Sequence, residues 1–446
     1  MFSRVFCMIL AAGRGTRLKS TQSKVLHPIG GLPLVGHCLR LAQQVGIPRT
    51  TLVISPDLEH SVSSLKEQTG APFSYIVQDP PGGTGEAAQI ALKGAPEKAQ
   101  WILVLYGDTP LVPPAVLRAL LAKAQENPKT GVCVLAMRLQ EPAGYAHLVE
   151  TPDGKSLSAI IEEKEASPEA HRLPLCNAGL LLYHEVASSL VPRMRPRGRQ
   201  ESFLTDIVSL AHAEGWINSY VEGPAEGLRG ANTRADLAAL ERTFQERARA
   251  EAMEAGVTLV DPASVFFSYD TQLAPDVTVL PHVFFKKGVQ VGSGSRIGPF
   301  CVLEGVSVGS DALIGPFAHL RPGARLEDRV RVGNFVEIKN AHVKEGAKIN
   351  HLSYIGDASL GKACNIGAGT ITCNYDGLRK HKTIIGDKAF IGSNTALVAP
   401  VEVAKEAVIG AGSTITRDIP EGVLALTRAD LTIVSEYKRK KSCAES

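Results

Sequence analysis

Three sets of residues have types and spacing that could do chemistry. The run L-A-A-G-R-G-T-R at 10–17 is followed by Lys24 in S-K-V-L-H-P. A glycine-rich turn entering a helix lets backbone N–H groups come close to phosphates, and Arg17 and Lys24 would neutralise their charge. The spacing is neither the G-x-G-x-x-G of dinucleotide folds nor the G-K-[ST] of a P-loop, which suggests a different nucleotide site. The second set is built on Asp108, at the end of W-I-L-V-L-Y-G-D (101–108), with Q-D-P-P-G-G-T-G (78–85) supplying an amide and another glycine loop. A carboxylate at the carboxyl end of an apolar strand lies where open α/β sheets bind ligands, and it is a hard oxygen donor suited to Mg2+. The third is His351 in I-N-H-L-S-Y (349–354). An imidazole titrates near pH ~6.5 in water, which suits a general base worth about a hundred- to ten-thousand-fold in rate.

The elements that must hold these groups follow from periodicity. From residue 1 to about 235, apolar β-branched runs such as 5–10, 51–54, 102–106 and 131–137 alternate with helical stretches, which predicts an α/β domain with a mostly parallel sheet. Residues 235–255 are rich in alanine and charge, contain no Gly or Pro, and predict a linker helix. Beyond it, aliphatic or aromatic residues recur every six positions at Leu273, Val279, Phe285, Val291, Ile297 and Leu303. After a five-residue step the series resumes at Val308, Ile314, Leu320, Leu326, Val332 and Ile338. Further five-residue steps open Val343, Ile349, Ile355 and then Leu360, Ile366, and the series closes with Ile385, Ile391, Leu397, Val403, Ile409 and Ile415. This is the hexapeptide signature of a parallel β-helix, each side of a triangular coil supplying one inward aliphatic residue. His351, two residues past inward Ile349, then points out of the coil. The one break, between Thr372 and Ile385, carries C-N-Y-D-G-L-R-K-H-K and predicts a projecting loop at the binding face.

Composition bounds the rest. A chain of 446 residues predicts about two or three structural units. Its 44% hydrophobic and 21% charged content is that of a soluble globular protein, with no run long enough to span a membrane. The apolar start, Met1 to Leu10, runs into a glycine loop and not into a cleavage site, which argues against a signal peptide. The eight cysteines form no C-x-x-C pair and no metal-ligand cluster with histidines, so reduced thiols in a cytoplasm are expected. A net charge of +3 calls for no nucleic acid, and the basic tail Lys438–Lys441 reads as a solvated end.

The set L-A-A-G-x-G-T-R, K-V-L-H, G-G-T-G and Y-G-D resembles the sugar-1-phosphate nucleotidyltransferases. Followed by a hexapeptide β-helix, it resembles the bifunctional N-acetylglucosamine-1-phosphate uridylyltransferase/glucosamine-1-phosphate acetyltransferase family over nearly the whole chain. The resemblance implies a Rossmann-like α/β nucleotidyltransferase (1–234), the linker helix (235–255) and a left-handed parallel β-helix acetyltransferase with a C-terminal tail (256–446). It implies that Leu10, Ala11, Ala12, Gly13, Gln78, Gly83, Thr84, Tyr106 and Gly107 meet UTP, with Arg17 and Lys24 at its phosphates. Asp108 and Asn232, in R-G-A-N-T-R, would hold Mg2+, and Gly144, Glu162 and Asn177 would line the sugar pocket. In the β-helix it implies that Arg321, Lys339, Tyr354, Asn365 and Lys382 bind glucosamine 1-phosphate around His351 as base. Ala368, Asn374, Tyr375, Ser393, Ala411 and Arg428 would receive acetyl-CoA, with Asn374 at the thioester or its oxyanion. A homotrimer with sites between subunits is expected by the same analogy. Two positions depart from the family pattern: Ser23, where proline usually precedes the lysine, and Ala231, where valine commonly precedes the asparagine. A single-function sugar nucleotidyltransferase with a structural or regulatory β-helix is the competing expectation; His351, Asn374 and Lys382 together stand against it.

Overall fold

The run Val5–Ala11 is apolar at every position, as suits a strand covered on both faces, and it forms strand β1. Alternation sends Val5, Cys7, Ile9 and Ala11 into one core layer and Phe6 and Met8 into the other. Strands β2 (Arg49–Ile54), β3 (Ser74–Val77), β4 (Trp101–Tyr106), β5 (Thr130–Arg138), β6 (Leu175–His184) and β7 (Ile217–Glu222) complete the main sheet in the order β7-β5-β6-β4-β1-β2-β3. Its neighbours pair in parallel except β6, which runs antiparallel to β4 and β5. The chain winds outward from β1 to β3 and returns to β4 on the other side of β1. That reversal opens a crevice at the carboxyl ends of β1 and β4, the usual ligand position in such sheets.

Helices cover both faces. Leu34–Gln44 and Pro114–Gln125 bury Val35, Cys38, Leu39 and Leu117, Leu120, Leu121 on one side. Gly83–Leu92 and Asp206–Ala213 bury Ala87, Ala88, Ala91 and Ile207, Val208, Ala211 on the other. The i, i+3, i+4 spacing of these residues makes each apolar stripe, and each fully buried leucine contributes about 1.5–3 kcal/mol.

The structure is a computed structural model that describes residues 2–437 except 14, 81, 97, 143 and 197–200. The basic run Lys438–Lys441 and Cys443 lie outside the described residues. The chain divides into two units, Met1–Arg247 and Ala248–Ser446, and the division falls inside the helix Arg234–Glu254. That helix starts at a reciprocal cap: Thr233 Oγ1 accepts from the Asp236 N–H at 3.2 Å, while Asp236 Oδ2 accepts from the N–H groups of Asn232 (2.9 Å) and Thr233 (2.7 Å).

The second unit is a parallel β-helix. Thr278, Arg296, Leu313, Arg331, Lys348, Asn365, Phe390 and Val408 pair in one unbroken column, one member per coil. Apart from Leu273, which is partly buried, every residue of the six-residue series is buried in a single core that runs from Val257 to Ile419. At the break, Thr372 occupies the inward place and stays satisfied: its hydroxyl accepts from the Gly356 N–H at 2.7 Å and donates to the Gly356 carbonyl at 3.1 Å. Burying a hydroxyl without such partners would cost a few kcal/mol.

The coil corners project outward. His282, Phe300, Phe317, Phe335 and Leu352 take left-handed backbone angles, φ 60, 58, 54, 55 and 51°. Each such non-glycine corner costs about 1–2 kcal/mol. Stacking offsets part of this, since the His282–Phe300, Phe300–Phe317 and Phe317–Phe335 rings lie 5.0, 4.9 and 5.1 Å apart.

Candidate functional sites

In the first unit, the carboxyl ends of β1 and β4 bring four predicted residues to one point. Lys24 forms an ion pair with Asp108 Oδ2 and donates to Asn232 Oδ1 at 3.3 Å, and Arg17 Nη2 donates to the same oxygen at 3.0 Å. Backbone bonds hold the frame: Gly107 N–H donates to the Leu10 carbonyl at 2.9 Å and Ala231 N–H to the Asp108 carbonyl at 3.0 Å. Gly15 has φ 59°, and a Cβ there would collide with Lys24, so only glycine lets this loop close on the lysine. Ala11 and Ala12 are buried at the end of β1, and Gly13 is exposed beyond them. Asp108 and Asn232 thus direct a carboxylate and an amide oxygen at one cationic centre. Hard oxygens of this kind fit Mg2+, which takes one or two protein ligands beside phosphate oxygens.

The residues expected to meet the nucleotide and the sugar lie in strands of the same sheet or in the segments that follow them. Gln78 is buried and its amide donates to the Gly83 carbonyl (3.2 Å) and to Glu86 Oε2 (2.7 Å). Gly83 has φ 91° and a Cβ there would strike the Ser202 carbonyl. Thr84 Oγ1 accepts from the Leu204 N–H at 2.9 Å. Burial pushes the Tyr106 hydroxyl pKa up, the Glu162 carboxylate adds to the rise, and a hydrogen bond with Thr84 opposes it. Glu162 accepts from the Thr205 hydroxyl at 2.6 Å, Gly144 N–H donates to Glu163 at 2.9 Å, and Asn177 Oδ1 accepts from the Gly179 N–H at 3.1 Å. Sequence reasoning missed Glu86, Thr205 and Asp236. Asp236 carried a signal, because N-T-R-A-D has the spacing of a capping box.

At Ser23 the backbone has φ −56°, the angle proline would impose, so the loop takes a path that proline would also accept. Ala231 is fully buried, against Ile29, Leu34, Leu111 and Leu240.

In the second unit, His351 is exposed, and its Nδ1 lies 2.7 Å from Asn334 Oδ1, its register partner one coil earlier. The pairings Lys348–Asn365, Asn365–Phe390 and Phe390–Val408 put His351, Ala368, Ser393 and Ala411 at one position of successive coils. The side chains after the histidine are small, leaving a flat track along the coils. Arg428 reaches Gly412, next to the last of them.

Around the corner marked by Phe335 and Leu352 lies a cationic cradle. Arg321 Nη1 donates to Glu337 Oε1 at 2.6 Å, and Glu337 pairs in register with Tyr354. The Lys339 ammonium lowers the pKa of Lys380 from its ordinary value, because the neutral Lys380 amine can accept a hydrogen bond from it and because the two like charges repel. The residue brought beside Lys339 and Tyr354 is therefore Lys380. The expected Lys382 lines an open pocket of about 550 Å³ together with Lys380, Arg325, His342 and Asp357. Asn365 stands across the corner from the cradle, between Lys348 and Phe390.

The loop at the break folds on itself. Tyr375 bridges to Lys380 and its hydroxyl donates to the Gly377 carbonyl at 2.6 Å. Asp376 accepts from the N–H groups of Arg379 (2.6 Å) and Leu378 (2.7 Å) and lies 2.7 Å from His381 Nε2, bonds that hold its carboxyl pKa well below the ordinary range. Asn374, at the loop base, donates to Asp357.

Residues 7–168 match the MobA-like NTP transferase domain, and residues 305–340 and 382–417 match the bacterial transferase hexapeptide repeats. Fold and sites together define a nucleotidyltransferase joined to a left-handed β-helix transferase. The chain is 45% identical to the bifunctional protein GlmU of Paramagnetospirillum magneticum, over 96% of this chain and 94% of that protein. The GlmU proteins of Paracoccus denitrificans and Zymomonas mobilis are 44% and 42% identical, each over 95% of this chain and 94% of their own. The chain belongs to the bifunctional GlmU family.

Proposed function

We propose that the chain makes UDP-N-acetylglucosamine in two reactions: acetyl transfer from acetyl-CoA to glucosamine 1-phosphate, then uridylyl transfer from UTP to the N-acetylglucosamine 1-phosphate formed, with release of pyrophosphate. The observation that carries this reading is that Arg17, Lys24, Asp108 and Asn232 meet at one point in the first unit, while His351 heads a small-residue track in the second. Each half-reaction has its own set of groups. The proposed division of labour is 1–234 for uridylyl transfer, 235–255 as linker and 256–446 for acetyl transfer.

In uridylyl transfer, a phosphate oxygen of the sugar attacks the α-phosphorus of UTP; that P–O bond forms as the bond to the β-phosphate oxygen breaks, and pyrophosphate leaves. Leu10, Ala11, Ala12 and Gly13, with Gln78, Gly83, Thr84, Tyr106 and Gly107, hold the nucleotide, and Gly144, Glu162 and Asn177 hold the sugar. Arg17 and Lys24 neutralise the charge that builds on the phosphates. Mg2+ held by Asp108 and Asn232 would supply charge screening at the triphosphate.

In acetyl transfer, the amine of glucosamine 1-phosphate attacks the thioester carbon and loses a proton to His351. The C–N bond forms, the C–S bond breaks, and the coenzyme A thiolate takes up a proton. Arg321, Lys339, Tyr354 and Lys380 bind the sugar phosphate; two ammonium groups held side by side call for a dianion between them. Lys382 lies at the rim, and Asn365 sits on the His351 side. The cofactor follows Ala368, Ser393, Ala411 and Arg428, with Tyr375 over it and Asn374 at the oxyanion.

A homotrimer in the cytoplasm completes the reading. What supports an assembly is the exposed column of Phe300, Phe317, Phe335 and Leu352 beside His351. No helix among the described residues is long and apolar enough to cross a membrane, and the seven described cysteines are free thiols.

Two assays on the purified chain test this: thiol release from acetyl-CoA with glucosamine 1-phosphate, and pyrophosphate release from UTP with N-acetylglucosamine 1-phosphate. His351→Ala is expected to lower only the first by about 100-fold or more, and Asp108→Ala only the second. Absence of thiol release from the unaltered chain would reduce the β-helix to a scaffold.

A further inference from the structure

We infer that Asn334 is a positioning residue for acetyl transfer: its side-chain carbonyl fixes the ring and tautomer of His351 so that Nε2 is the atom that accepts the proton. The inference rests on the reading of His351 as the base.

Asn334 ends the strand Arg331–Asn334 and His351 ends Lys348–His351, and the two are direct register partners on neighbouring coils. The backbone holds both in place. Leu352 N–H donates to the Asn334 carbonyl at 3.0 Å, and the His351 carbonyl accepts from the Ser353 hydroxyl at 2.8 Å and from the Gly369 N–H at 3.3 Å. Asn334 Oδ1 then lies 2.7 Å from Nδ1. An amide oxygen can only accept, so Nδ1 must carry the hydrogen and the Nε2 lone pair is left for the substrate amine. An exposed imidazole without this contact would divide itself between two tautomers and two ring orientations.

The partner is neutral, and this also serves the chemistry. The proton that Nε2 takes from the amine has to pass on to the coenzyme A thiolate. A carboxylate beside Nδ1 would stabilise the imidazolium and hold that proton back. The charged residues on the three strands stacked here are Arg331 and Lys348, both at the ends remote from His351. Across the corner, Glu337 is engaged by Arg321.

The test follows thiol release against pH for the full chain carrying Asn334→Ala, Asn334→Asp or His351→Ala, with pyrophosphate release as the control. Asn334→Ala is expected to lower kcat for acetyl transfer about 10- to 100-fold, with both KM values and uridylyl transfer unchanged. Asn334→Asp still accepts from Nδ1 and holds the ring, so it is expected to lower turnover less than Asn334→Ala, through the proton held back on the imidazolium, and to move the acid limb of the kcat/KM profile upward by about one to three pH units. If Asn334→Ala has the unaltered rate and profile while His351→Ala is inactive, the inference fails and the reading of His351 stands. If His351→Ala still acetylates, that reading fails. A loss in Asn334→Ala with no displaced profile in Asn334→Asp marks a merely structural role and also overturns the inference.

Discussion

Asp357 accepts a hydrogen bond from the Asn374 side chain one coil further on. Asn340, one coil earlier, donates to its other oxygen at 2.6 Å. Burial opposes the Asp357 charge, yet these bonds and the nearby Lys339 and Lys380 hold its pKa below the ordinary carboxylate range. A depressed carboxylate stabilises the fold fully above its unfolded pKa of ~3.9 and ceases to do so as pH falls through the lower folded value. Asp357→Leu should free Asn374 and lower acetyl transfer about tenfold at neutral pH, leaving uridylyl transfer intact. Parallel loss of both activities would show general damage and refute the positioning role.

Lys380→Met should raise KM for glucosamine 1-phosphate about tenfold, and Lys382→Met should do less. Because Lys339 depresses the Lys380 pKa, the Lys380 charge disappears at lower pH than that of an ordinary lysine. The unaltered chain should therefore lose affinity for the sugar phosphate on the alkaline side at a lower pH than an ordinary lysine would dictate, a slope that Lys380→Met flattens. Steady-state KM values across that range check it; a larger effect from Lys382→Met would reverse the assignment.

Asp236→Ala removes the acceptor that holds the N–H groups of Asn232 and Thr233. The lost cap should cost about 0.5–2 kcal/mol. With Asn232 less firmly placed, the Mg2+ concentration giving half-maximal uridylyl transfer should rise several-fold, while acetyl transfer stays constant. An unchanged Mg2+ requirement at a lowered thermal midpoint would mean the cap serves the helix alone.

Ser23→Pro should stabilise the first unit by about 0.4–1 kcal/mol, since φ −56° already suits the ring and the unfolded chain loses freedom. Calorimetry should show the corresponding transition rise by roughly 1–4 °C with kinetics unchanged. A fall would reveal a need for the Ser23 N–H.

The β-helix was legible because its core repeats. A period of six residues reports which side chains point inward, and each residue of that series is found in or against the core. The groups at the end of the sheet were legible where a strand ran straight into them, as with Asp108. Periodicity says nothing about a loop outside the coil, which is why Lys382 was expected where Lys380 stands. Asn334 and His351 meet across a coil, 17 residues apart. That neighbour relation emerges only when the five-residue steps are traced through each turn, and an asparagine outside any glycine loop or charged run gave no separate reason to trace it.

Thr372 lies inside the coil while the next residues leave it, and the strand Thr383–Ile385 returns in register with Ala358, Ser359 and Leu360. The excursion is thus a cassette set into an otherwise uninterrupted ladder. The inward column passes it on either side, so packing fixes the coil while the loop answers to what lies outside it. The tie between the two is at the loop base, where Asn374 donates to Asp357 on the coil. In the proposed reading the acceptor's groups stand mostly on the spine and those of the acyl donor on the cassette, so an exchanged loop would alter the donor side of the reaction before the acceptor side.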